Sequence, residues 1–300
     1  MRSAKLSATL SALVLGTVLL AQAPPPPPPE PPPPPAAPDP PSSGPVRLEN
    51  RSEKLSYGSK LWVKNRNGSI KVTGWNREEV ALKAEIRDTE QRPINLVIQR
   101  KGEGLDIEAV YQQPTWHFGF TKSPHCQMTL SVPQKLLGHF RTTNGSVSVA
   151  NLEGYARCET TNGTVTLKEI AGEVLAETTN GNIDARKLRA RIKGGTTNGR
   201  IILEEVLGGI KMETTNGSIT ARDLDGWGEG ISLETTNGSI DLELGKATGD
   251  LEAGNTHGGL DIKVPTAQVL ELSKHTAKLK IPGKLQKIVL DTTNGSIKVR

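Results

Sequence analysis

The tetrapeptide Thr-Thr-Asn-Gly occurs seven times, beginning at Thr142, Thr160, Thr178, Thr196, Thr214, Thr235 and Thr292. Its asparagines (Asn144, Asn162, Asn180, Asn198, Asn216, Asn237) are separated by four intervals of 18 and one of 21, and the seventh is Asn294. Self-similarity at a fixed short period is the signature of a repeat architecture, in which each unit buries its apolar face only against its neighbours. A decayed copy, Asn255-Thr256-His257-Gly258, puts His257 in the Asn place. The 37 residues from there to Asn294 amount to two further periods, with Ser273-Lys274-His275 as the expected hidden rung. An isolated early copy stands at Asn65 to Ile70.

Around Asn216, Ile210, Met212 and Thr214 alternate with polar residues, as do Ile219 and Ala221 after the Gly. Period two marks strands with one buried face. Asn-Gly between alternating strands is also a two-residue hairpin signal. A hairpin would set Glu177 opposite Asp184 and Glu234 opposite Asp241, an arrangement of like charges that destabilises a pair. Alternation also breaks at Arg186-Lys187, which fits a corner better than a continuing strand. These points favour an all-β fold: a parallel β-solenoid (β-helix-like) of ~18-residue coils, preceded by a less regular β cap region. Equivalent residues then stack at about 4.8 Å, and identical polar side chains can hydrogen-bond along the stack. About nine coils from Asn144 to Asn294 give a rod on the order of 40 Å long. Cys158, Ala176, Gly194, Met212, Leu233 and Ala253 share one inward column. So narrow a core has little room for rings, consistent with 3% aromatic residues.

Four segments follow from composition. Residues 1–23 carry Arg2 and Lys5, an apolar stretch from Leu6 and Ala21-Gln22-Ala23, and read as a signal peptide or N-terminal anchor. Pro24 just after that site opposes cleavage. Fifteen of the 21 prolines lie in residues 24–45, a stiff polyproline linker. Residues 46–140 form an N-terminal β region, comprising a cap and first coils, and residues 141–300 the TTNG-repeat solenoid. The balance of 37 basic and 32 acidic residues supplies no basic face for nucleic acid.

The exported N-terminus, the early Asn-Gly-Ser-Ile, the Gly74-Trp75 to Val80 strand, Ser131-Val132-Pro133 and the TTNG coils together resemble the bacterial "putative adhesin" β-strand-repeat family, a domain of unknown function. The resemblance covers about Val46 to Arg300. It implies a β-solenoid in an envelope or extracellular setting and supplies no catalytic residues.

Candidate chemistry is sparse. Glu159, Glu177, Glu213 and Glu234 form an outward carboxylate column that neighbouring Arg157, Lys193 and Lys211 can balance. Trp116, His117, Phe118 and Phe120 form the densest aromatic cluster, a binding patch if exposed and a plug if buried. His117, His125 and Cys126 match no closed metal site. Cys126 and Cys158 have the option of one disulfide, and Cys158 equally suits a buried small apolar position. The expected function is a non-catalytic, exported structural or adhesive β-solenoid in the periplasm, cell envelope or extracellular space, with no cofactor. The alternative is a carbohydrate-binding or polysaccharide-acting β-helix protein. Expected partners are an envelope or surface glycan or protein, a second copy through the C-terminal edge strand, and a membrane only if the N-terminal segment is retained; nucleic acid is not expected.

Overall fold

The computed structural model describes residues 46–88, 92–112, 123–227, 229–283 and 286–300. The predicted signal (1–23) and proline linker (24–45) lie outside the described residues. The strands are β1 Arg47–Lys54, β2 Lys60–Lys64, β3 Ile70–Trp75, β4 Glu79–Arg87, β5 Ile94–Lys101, β6 Gly104–Tyr111, β7 His125–Pro133, β8 Lys135–Arg141, β9 Val147–Asn162, β10 Val165–Asn180 and β11 Ile183–Asn198. They continue as β12 Ile201–Leu207, β13 Ile210–Asn216, β14 Ile219–Asp225, β15 Ile231–Asn237, β16 Ile240–Glu243, β17 Gly249–His257, β18 Leu260–Ile262, β19 Gln268–Leu272, β20 Thr276–Ile281, β21 Lys287–Asn294 and β22 Ile297–Val299.

Two long faces run the length of the stack. The face before each Asn-Gly runs β5-β6-β2-β8-β9-β10-β11-β13-β15-β21-β17-β20-β19. The face after it runs β1-β4-β7-β3-β9-β10-β11-β12-β14-β16-β22-β18. Pairing is parallel throughout the repeats and antiparallel only at the two ends, in β1–β4–β7 and β5–β6 and in β17–β20–β19. The expected all-β parallel solenoid with a less regular first region is therefore present.

Each letter of the repeat has a physical reason. The first Thr points inward, and its hydroxyl donates to the Gly carbonyl of the coil before: Thr160 to Gly145, Thr178 to Gly163, Thr196 to Gly181 and Thr214 to Gly199, at 2.7 to 3.1 Å. The second Thr is exposed. The Asn side chains form one ladder, each Nδ2 donating to the Oδ1 of the preceding coil, as in Asn162 to Asn144 (2.8 Å) and Asn180 to Asn162 (2.9 Å). Gly is required by close approach: a Cβ at Gly199 would sit 1.8 Å from the Gly181 carbonyl oxygen. The broken alternation at Arg186-Lys187 is a corner, with Asn151, Glu169, Lys187, Glu205 and Asp223 all in the left-handed region at φ between 51° and 57°.

The structure reorders the end of the repeat. β21 lies between β15 and β17, so Asn294 donates to Asn237 at 2.8 Å and His257 occupies the rung beyond Asn294. A complete TTNG rung can bond on both sides, whereas the decayed copy lacks the full set and takes an outer place. Ser273-Lys274-His275 is not a rung; it joins the antiparallel β19 and β20. The early copy is not isolated either, because Asn144 Nδ2 donates to Asn67 Oδ1 at 2.7 Å. The expected C-terminal edge strand is corrected as well: β22 is flanked by β16 and β18, so it offers no free edge for a second copy.

The inward column is as read, with Leu290 inserted between Leu233 and Ala253 and Phe140 preceding Cys158. The disulfide does not form: Cys126 and Cys158 are both free and buried. Cys126 precedes the Asn67 rung and Cys158 belongs to the Asn162 rung. That is three strand spacings, or about 14 Å along the stack, well beyond disulfide reach.

Candidate functional site

The outer side of β9, β10, β11, β13, β15 and β21 carries three longitudinal stripes. The first contains Arg157, Leu175, Lys193, Lys211 and Ser232 in successive register. Two residues further along each strand come Glu159, Glu177, Gly195, Glu213, Glu234 and Asp291. The third is the exposed second Thr of each repeat. Parallel in-register stacking copies one residue type upward at the interstrand spacing, so a repeat in sequence becomes a stripe in space.

Charges within the stripes are partly neutralised. Arg157 bridges Glu159 and Glu177, the latter at 3.6 Å. Burial pushes the Glu159 carboxyl up, but hydrogen bonds from His139 and Arg157 outweigh it and hold it below the usual carboxylate range. Lys193 and Lys211 form no ion pair among the described residues. Gly195 interrupts the acidic stripe because a Cβ there would meet the Glu213 carbonyl oxygen at 2.3 Å. The interruption leaves a shallow groove of about 510 Å³, lined by Glu177, Glu213, Glu234, Asp291 and threonines. Carboxylates and hydroxyls at fixed spacing can accept and donate hydrogen bonds to a polyhydroxylated or cationic chain.

A second groove of about 590 Å³ follows the short side of the coil between the left-handed corners and the next turn. Its floor is Leu152, Ile170, Leu188 and Leu224, and its rim mixes Glu169, Glu205 and Asp223 with Lys187, Arg189 and Lys246.

A family model described as Toastrack DUF4097 matches residues 59–300. The chain belongs to the Toastrack DUF4097 family. Three solved structures similar to this Toastrack chain are described as a "putative cell adhesion protein" from Clostridium sporogenes ATCC 15579, a "putative adhesin" from Bacteroides fragilis NCTC 9343 and a "putative lipid binding protein" from Parabacteroides distasonis ATCC 8503. The first is 11% identical, with a TM-score of 0.25, and the match covers 84% of this chain and 99% of that one. The second is 16% identical, with a TM-score of 0.46 and coverage of 87% and 99%. The third is 16% identical, with a TM-score of 0.48 and coverage of 84% and 96%. No curated protein matches the chain.

The residues that carried the family resemblance have structural duties in the Toastrack fold. A Cβ on Gly74 would lie 1.7 Å from the Asn151 carbonyl oxygen, so only glycine fits there. Trp75 Nε1 donates to the Glu79 carbonyl at 2.8 Å, and Arg77 lies over its ring at 4.9 Å. The predicted aromatic patch of Trp116, His117, Phe118 and Phe120 lies outside the described residues. The predicted asparagine ladder is brought together in full: Asn144, Asn162, Asn180, Asn198, Asn216, Asn237 and Asn294 join one chain of side-chain amides. It is extended at its start by Asn67. Among the described residues, no group of three or more His, Cys, Asp or Glu is disposed to hold a metal.

Sequence reasoning passed over two features of this surface. Trp227 is 56% exposed, in the insertion that lengthens one interval to 21; the signal was Gly226 to Gly230, which breaks the template. In the same insertion Glu229 holds Arg191 through two hydrogen bonds of 2.5 and 2.6 Å, and Arg191 also reaches Glu173 at 2.8 Å, tying three coils together.

Proposed function

We propose that this protein is a non-catalytic, exported structural or adhesive solenoid of the cell envelope or surface. Its working part is the striped outer face, which presents regularly spaced basic, acidic and threonine side chains to an envelope glycan or protein. The observation that carries this reading is the unbroken asparagine ladder from Asn67 to Asn294, which fixes that face as a rigid periodic array. A rigid array meets a repetitive partner without ordering itself on binding, which lowers the cost of association. Repeated weak contacts then add through multivalency.

The test is a binding screen against glycans and envelope fractions, run with the parent protein and with Lys193→Glu/Lys211→Glu and Glu213→Lys/Glu234→Lys. Loss of a bound component in either face variant, with the β-sheet circular dichroism unchanged, supports the reading; equal binding by both variants refutes the face as the site. The groove of Glu177, Glu213, Glu234 and Asp291 favours carbohydrate as the second reading. Turnover of any polysaccharide by the parent, abolished in Glu213→Gln, would replace the non-catalytic assignment.

A further inference from the structure

The strongest unexplained feature is the terminal hairpin β19–β20. β19 pairs with β20 alone among the described strands, leaving its outer edge free. All five of its residues are exposed, and three of them are large and apolar: Val269 at 55%, Leu270 at 60% and Leu272 at 63%. Val269 and Leu272 stand opposite Leu279 and Ala277, which are buried. Directly opposed residues share a sheet face, so Val269 and Leu272 continue the core-facing side past the point where the opposite face has ended at β18. An irregularity in the pairing between Val269 and Glu271 accommodates Leu270.

The sequence that forms and flanks this apolar tip is lysine-rich. Residues 263–287 contain six lysines (263, 274, 278, 280, 284 and 287) and one carboxylate, Glu271, a net of +5. The whole chain has 37 basic and 32 acidic residues, also +5, so the other 275 residues balance at 31 to 31. Part of that excess is offset in space: Lys278 and Lys280 on β20 stand opposite Glu252 and Asp250 on β17, Lys278 also pairs with Glu271, Lys287 pairs with Glu252, and Lys263 with Asp261 just before it. Lys274 and Lys280 form no ion pair among the described residues. The segment has no arginine and no aromatic residue. It thus lacks the guanidinium forks and stacking rings with which proteins read nucleic acid. A second copy is disfavoured, because edge-to-edge pairing would bring two positively charged ends together.

We propose that this end of the solenoid docks on an anionic lipid bilayer surface, with Val269, Leu270 and Leu272 entering the headgroup boundary and the lysines facing the lipid phosphates. Apolar insertion and basic attraction are the two signals that together give stable peripheral attachment. The unpaired backbone of β19 keeps the strand at the wet interface, since hydrocarbon would leave its N–H and C=O groups unbonded. This contact uses different residues from the striped face, so the two readings fail independently.

The test uses the full chain carrying Leu270→Cys labelled with an environment-sensitive dye; the native thiols are buried and stay unlabelled. The label reports this site alone, whatever residues 1–23 do. Vesicles of equal phosphatidylglycerol and phosphatidylcholine are compared with phosphatidylcholine alone. The expected result is a blue-shifted, quencher-protected label on anionic vesicles, partition at least about tenfold stronger than on neutral ones, and loss in high salt. Adding Lys274→Glu/Lys278→Glu is expected to abolish the shift, with circular dichroism confirming the fold. A label that stays aqueous on anionic vesicles overturns the proposal, as does equal partition on both lipids. A shift that appears without lipid and rises with protein concentration, together with a dimer in sedimentation, overturns it in favour of self-pairing.

Discussion

Replacing Thr196 by Val exchanges one hydroxyl for a methyl and leaves the side-chain shape almost unchanged. Thr196 is 6% exposed, and its Oγ1 donates to the Gly181 carbonyl at 2.9 Å. That carbonyl lies where even a methyl on Gly199 would be 1.8 Å away, so the space beside it is closed. Valine therefore leaves the acceptor without its hydroxyl partner, a loss worth about 1–3 kcal/mol. For a domain of this size each kcal/mol moves the melting temperature by about 2–4 °C, so the midpoint is expected to fall by about 2–12 °C. Thr197, next in sequence, is exposed, and Thr197→Val is expected to stay within about 0.5 kcal/mol of the parent. Urea unfolding followed by circular dichroism gives the global values, and hydrogen exchange of residues 178–199 shows whether opening is local to the two coils. A Thr196→Val protein within about 0.5 kcal/mol of the parent, or a Thr197→Val protein destabilised as much as Thr196→Val, would refute the stabilising role of the inward Thr hydroxyl.

Gly199→Ala forces a Cβ against backbone and is expected to cost at least about 3 kcal/mol, whereas Gly102→Ala, with open space around it and φ of 61°, should cost about 1 kcal/mol from backbone strain alone; parallel thermal melts compare them. Tyr111→Phe removes the hydroxyl that lies 2.7 Å from Asn65 Oδ1 and is expected to destabilise by about 1–3 kcal/mol in the same melts. Burial pushes the Cys126 thiol up to about 12. An unfolded thiol ionises near 8.5, so the unfolded state loses its proton first and stability is expected to fall as pH rises from about 8.5 towards 12. Burial pushes the Cys158 thiol up as well, so Cys126→Ala should lessen that fall in a denaturation-versus-pH curve and Cys126→Ala/Cys158→Ala should lessen it further. Neither thiol should react with an aromatic disulfide reagent at pH 8 until denaturant is added, and then two should.

The sequence was readable where one residue type had one reason to recur. Thr, Asn and Gly each serve a contact with the coil before, and that contact is identical in every coil, so spacing alone exposed the fold and the ladder. Neighbour order at the end of the stack was not readable, because the Asn294 rung bears the same Thr, Asn and Gly groups as the others and bonds equally well to Asn237 or to a later coil. What distinguishes the outer rung is what it lacks: Asn255 replaces the buried Thr and bonds His275 Nδ1 at 2.7 Å. Asn65 does the same in the Asn67 rung, where its Nδ2 reaches the Cys126 carbonyl at 2.7 Å and its Oδ1 accepts from Tyr111. An Asn in the Thr column therefore stands in the outermost Asn-Gly rung at each end of the ladder, a signal present in sequence but meaningless before the stacking is known. The exposed hairpin was missed because Val269, Leu270 and Leu272 read like any other strand until the absence of an opposing face is seen.

The place of β21 between β15 and β17 has a consequence for the order of assembly. As the chain leaves the ribosome, coils emerge in the sequence Asn67, Asn144 and onward to Asn237, each able to add to the one before. Residues 249–257 emerge next, yet their final neighbour is β21, which is synthesised later. If they dock early on Asn237, they occupy the surface that Asn294 requires, and they must leave before the stack can be completed. The pairing of Asn237 with Asn294 closes a separation of 57 residues, and that of Asn67 with Asn144 one of 77, against 18 for most rungs. Closing a longer loop carries more entropy and slows the step. Growth is thus vectorial along the regular coils from Asn144 to Asn237 and interrupted beyond them, where a strand from residues 287–294 must be inserted rather than appended. Refolding is expected to show a fast phase for the regular coils and a slow one for the insertion of β21, and a chain stopped after Ile281, which lacks β21, should retain the first phase while losing that slow one.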